Sequence, residues 1–96
     1  MSKNKLTKLS ELMVITMEEC GELTQVCSKL LRKRHTNNEI SEETKAKLEA
    51  EFADVQCMLQ LCEEYGLVDQ HNIQRGIIGK RKKLAVWSDL IMDANE

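Results

Sequence analysis

The sequence predicts an all-α domain, on three observations. Proline is absent and glycine occurs only four times, so little punctuates the chain for short strands and tight turns. Apolar residues recur at three- and four-residue steps over long segments, the period of one helix face. Charged residues make up 31% of the chain and hydrophobic residues 42%, a balance suited to amphipathic helices. The 96 residues allow one small domain, 1–96, near the lower limit for a self-sufficient core. Help from a second copy of the chain is therefore expected.

The first helix is expected from about Leu6 to Lys33, with Leu12, Ile15, Leu23, Val26 and Leu30 on one stripe. The stretch "RHTNNEIS" breaks the pattern and reads as a loop. Ser41 is the natural N-cap of a second helix, whose first turn holds Glu42 and Glu43, where negative charge is favoured. That helix runs to about Tyr65 through Leu48, Phe52, Val55, Met58, Leu59 and Cys62, and Gly66 supplies the stop. Asp69 can cap a third segment carrying Ile73, Ile77, Leu84, Trp87 and Ile91. Gly76 and Gly79 weaken that segment, so it is expected as one helix or two shorter ones.

A net charge of −2 excludes a polycation for nucleic acid. No run approaches a membrane span and the N-terminus lacks an apolar segment of signal length, so a cytoplasmic protein is expected. Cys20, Cys27, Cys57 and Cys62 form no C-x-x-C pair, and the two histidines are not spaced to complete a zinc site. The four are expected as reduced, buried, small apolar residues.

Three carboxylates interrupt the first helix in "ITMEECGEL". On a wheel of about 100° per residue with Glu19 as zero, Leu12, Ile15, Leu23, Val26 and Leu30 fall within about 40° of it. Glu22 lies about 60° to one side, with Glu18 beyond it. On the second helix, with Glu51 as zero, Leu48, Val55, Met58 and Cys62 fall within about 60°, and Asp54 sits about 60° to the same side as Glu22 did. Each helix therefore places an acid on the stripe and a second acid three residues later at its edge. A carboxylate buried alone is costly, and four converging ones repel. A divalent cation between them is the least costly way to keep them ionised, and this oxygen-rich set suits Mg²⁺ or Mn²⁺. A di-iron carboxylate bundle would need Glu-x-x-His, and Arg32 and Val68 stand three before His35 and His71. The bland alternative is a set of edge acids paired with Lys or Arg.

"EECGEL" followed by "EFAD" resembles the E-E-x-x-E … E-x-x-D signature of the MazG-like all-α nucleotide pyrophosphohydrolases, with 28 residues between Glu22 and Glu51. Gly21 and Leu23 match the E-E-x-G-E-L form. The resemblance spans about Leu9 to Tyr65 and is looser over the last third. It implies the MazG-like type of helical bundle, metal ligation by Glu19, Glu22, Glu51 and Asp54, and Mg²⁺ as the usual cofactor. It implies that Glu18 supports the site by holding a ligand or orienting the attacking water. The implied enzyme is a hydrolase that splits a (deoxy)nucleoside triphosphate into monophosphate and pyrophosphate, assembled as a homodimer or homotetramer.

Such a substrate needs cations beside the acids. "GKRKKLAVW" places Lys80 about 60° from Ile77, on the apolar flank, where it can snorkel or reach phosphate. Lys83 is a second candidate, whereas Arg81 and Lys82 read as surface. Lys29 and Lys33 lie on the acidic flank of the first helix, two and three turns past Glu22, and either balance its charge or touch substrate. Trp87 is a candidate for packing or for base stacking. The alternative function is a helical interaction module that binds nucleic acid or a protein partner through the basic 80–83 cluster.

Overall fold

The computed structural model describes residues 6–33 and 39–91. Three helices form: α1 (Lys8–Arg32), α2 (Glu42–Glu64) and α3 (Gln70–Trp87). The described residues include no strand, and no helix long and apolar enough to cross a membrane. Most of the expected loop after the first helix (34–38) and the last five residues (92–96) lie outside the described residues.

Each helix begins on a side-chain cap. Thr7 Oγ1 accepts the Ser10 amide at 3.1 Å, Ser41 Oγ accepts the Thr44 amide at 3.1 Å, and Asp69 Oδ1 accepts the His71 amide at 2.8 Å. Each bond satisfies one of the donors that a helix start leaves free. α2 stops at Gly66, whose φ of 74° is open to glycine without steric cost. The Leu67 and Gly66 amides donate back to Cys62 and Glu63, each at 2.9 Å, which satisfies two of the last carbonyls.

α1 and α2 make the one extensive helix–helix interface among the described residues. Leu12, Met58 and Cys62 are the buried core, 7%, 5% and 6% exposed, with Leu61 packed against them. Leu12 thus faces the C-terminal end of α2, so the two helices run antiparallel. The covered residues of α1 are Leu12, Thr16, Glu19, Leu23, Val26 and Leu30, and those of α2 are Thr44, Leu48, Glu51, Val55, Met58, Leu61 and Cys62. Both sets step mainly by four and three, the spacing of a coiled-coil seam.

Several expected positions move. Ile15 is 38% exposed, and Thr16 takes its place in the seam, its hydroxyl donating to the Leu12 carbonyl at 2.6 Å. A four-and-three seam rotates the buried face away from Ile15 and toward Thr16. For the same reason Phe52 and Leu59 lie on the outer flank of α2, both exposed. Cys20, Cys27 and Cys57 are exposed free thiols, because they sit one step off the seams, and Cys62 alone among the cysteines is buried. α3 is a single helix through Gly76 and Gly79, and it stops at Trp87, leaving Ile91 beyond it. α3 contains no buried residue. The radius of gyration is 17.3 Å, against roughly 12 Å for a compact chain of this length.

Candidate metal centre

The antiparallel register brings the middle of α1 against the middle of α2. One carboxylate oxygen from each of Glu19, Glu22, Glu51 and Asp54 lies within 4.8 Å of all the others. Glu19 and Glu51 occupy the seam and are half-buried, whereas Glu22 and Asp54 are exposed at its edge. The in-line and flanking positions read from the helical wheels thus become the floor and rim of one shallow acidic site. Glu18 is exposed on the rim of α1 and stands outside this set of four.

Partial burial and the neighbouring negative charges hold the Glu19 carboxyl above its ordinary value, with Glu22, Asp54, Glu51 and then Glu18 contributing. Partial burial likewise raises Glu51, reinforced by Glu22, Asp54 and a hydrogen bond with Glu22. The Oε2 atom of Glu51 is itself buried and has no hydrogen-bond partner. A buried acceptor left unsatisfied is costly. Among the described residues no Lys or Arg side chain pairs with these acids, and the ion pair there joins Glu43 to Lys47 at 3.6 Å. Among the described residues the edge-acid alternative finds no basic partner for these four. Four carboxylates in mutual reach, one with a buried orphan oxygen, form a donor set that fits a hard divalent cation.

The other candidate residues are placed differently. Lys29 and Lys33 line a pocket between the C-terminal end of α1 and the start of α2, together with Val26, Leu30, Thr44 and Lys47. Lys47 and Thr44 were not singled out in the sequence. The signal was present, because Lys47 stands one helical turn before Glu51, but it requires the antiparallel register to be read. Lys80 and Trp87 belong to α3, with the Lys80 ammonium 5.4 Å from the centre of the Trp87 ring. That is a cation–π distance within α3 itself. Lys83 is exposed on the same helix. In comparison with known proteins, the chain matches no family model, no curated protein and no solved structure. The functional reading therefore rests on its residues and their geometry.

Proposed function

We propose that the chain is a divalent-metal-dependent hydrolase of the MazG-like kind that cleaves (deoxy)nucleoside triphosphates to monophosphate and pyrophosphate. The convergence of Glu19, Glu22, Glu51 and Asp54 within 4.8 Å carries this reading. Mg²⁺, or Mn²⁺ in its place, would neutralise phosphate charge and acidify a water there. Glu19 and Glu51 would hold the ion from the floor of the site, and Glu22 and Asp54 from the rim. Glu18, exposed beside Glu19, would orient the attacking water or steady a ligand. Water adds to the α-phosphorus and the bond to the bridging oxygen breaks. Pyrophosphate leaves with the bonding electrons, and a proton passes to solvent or to a rim carboxylate.

The same reading includes assembly. Leu9, Met13, Met17 and Leu31 on α1, Phe52 and Leu59 on α2, and Ile77, Ile78, Val86 and Trp87 on α3 are all exposed. Apolar surface on this scale in a small chain marks interaction sites, and a homodimer or homotetramer would cover it. In such an assembly Lys80, Lys83 and Trp87 would serve a site from α3 rather than from the pair that carries the acids.

The test is direct. Purified protein is incubated with each nucleoside and deoxynucleoside triphosphate and Mg²⁺, and monophosphate and pyrophosphate are quantified. Turnover of at least one substrate, abolished by chelator, is the expected result. Folded, metal-loaded protein that turns over no triphosphate would refute the reading.

A further inference from the structure

The pocket lined by Lys29, Lys33, Lys47 and Thr44 shares its groove with the acidic site. The helices are antiparallel, so moving toward the C-terminus of α1 is moving toward the N-terminus of α2. Glu22 precedes Val26 by about one turn and Lys29 by about two, and Glu51 follows Lys47 by about one turn and Thr44 by about two. The two features therefore occupy successive stretches of one seam, with Lys29 displaced about 10 Å along the helix axis from Glu22. Val26 and Leu30 line the pocket with apolar surface, and among the described residues no acidic one lines it. Three lysines from two helices surround it. Thr44 belongs to the first turn of α2, where the helix presents the positive end of its dipole. The same first turn carries two carboxylates, Glu42 and Glu43; Glu43 holds Lys47 at 3.6 Å, but both side chains are strongly exposed, so the pair is weak and an arriving anion can displace it.

We infer that this pocket is an anion subsite that takes the terminal phosphates of a polyphosphate whose reacting phosphate lies at the acidic end of the groove. The inference rests on the hydrolase reading for the identity of that polyphosphate. The anion-binding chemistry itself rests on the three lysines alone. A purely acidic groove would repel a triphosphate, and a groove with an acidic end and a basic end orients it. The reacting phosphate is placed among the carboxylates and their cation, while the pyrophosphate portion extends toward the start of α2. Each lysine is a flexible point charge on a four-carbon stem, suited to phosphate without fixed geometry. Such a subsite holds β and γ phosphates, not the base, so it acts on all nucleobases alike.

The test uses inorganic pyrophosphate as probe, titrated calorimetrically into the full chain with Mg²⁺ and again with chelator. The proteins are wild type, the double variant K29Q/K47Q, and the control K45Q, whose exposed lysine lies outside the pocket. The expected result is at least a tenfold weaker affinity for the double variant in both conditions and no change for K45Q. Circular dichroism confirms that each variant folds, and K33Q provides a second single-site readout from the other side of the pocket. Wild type that binds no pyrophosphate in either condition, or equal losses in K45Q and the double variant, would overturn the subsite. A parallel substrate assay separates the two readings. Pyrophosphate binding that depends on Lys29 and Lys47 without turnover of any triphosphate supports the subsite and refutes the hydrolase. Turnover with the same KM in wild type and double variant refutes the subsite and leaves the hydrolase standing.

Discussion

The α1–α2 pair and α3 are built from similar material with opposite results. Both carry apolar residues at helical spacing, both begin on a side-chain cap, and both are rich in charge. The pair interlocks along a four-and-three seam and buries Leu12, Met58 and Cys62. α3 has Ile73, Ile77, Leu84 and Trp87 at comparable steps, yet none of them is buried. The difference teaches that amphipathicity creates a face, whereas a core needs a second face in register. It also explains where the acids sit. A carboxylate can be half-buried only where a neighbouring helix covers it, so the acidic site lies on the paired helices and the basic run of α3 stays in solvent.

The sharpest way to break that comparison is to neutralise one seam acid. Glu51→Gln keeps the shape and removes the charge, so metal-dependent turnover should fall by roughly 100-fold or more, as for loss of a transition-state electrostatic contact. Metal affinity measured by titration should fall with it, while the circular dichroism spectrum is unchanged. Retained activity would remove the seam acids from the chemistry. The next largest effect separates the two regions by stability. Met58→Ala deletes a buried contact of the pair and should cost roughly 2–4 kcal/mol in denaturant unfolding. Leu84→Ala, at a side chain of α3 that is only partly covered, should cost well under that in dilute protein and more at concentrations where copies associate. A concentration-independent large loss at Leu84 would show that α3 is packed within the single chain.

The pH dependence follows from the raised carboxyls. For Glu19 and Glu51 the folded protein holds a proton above the ordinary value of 4.5. Their contribution to stability is therefore present below that value and is lost as the pH rises through the raised one. In chelator, the melting temperature of E51Q should gain on wild type as the pH rises from about 4.5 toward neutrality. Saturating Mg²⁺ should reverse the order, because the ion stabilises only the protein that binds it. A wild-type-to-variant gap that ignores both pH and metal would mean the acids do not share one site. The smallest effect lies in α3. A Cβ added at Gly76 meets nothing within 4 Å, so Gly76→Ala should stabilise by about 0.5–1 kcal/mol, read as a rise in melting temperature.

Much of the fold was legible because its signals are local. Ser41, Asp69 and Gly66 mark helix ends through bonds to atoms within five residues. The placement of Glu19 and Glu51 on the buried stripes follows from helical period alone. Ile15 was misplaced because the choice between a 3.6-residue stripe and a 3.5-residue seam depends on a partner helix. The exposed Cys20, Cys27 and Cys57 follow from the same rotation. Lys47 went unnoticed because its neighbours across the groove come from α1, about twenty residues away in the chain.

The amino-acid order alone determined three helices, the N-caps of the second and third and an acid at the centre of two apolar faces, because turns, caps and helical period are set by neighbours within a few residues. Only the tertiary structure decided that α1 and α2 run antiparallel with Glu19 and Glu22 level with Glu51 and Asp54. It also decided that the same seam passes from those carboxylates to Lys29 and Lys47, and that α3 remains uncovered. Register between helices is a property of packing, and a shift of one turn would move the facing residues by about 5 Å and carry the four oxygens out of common reach.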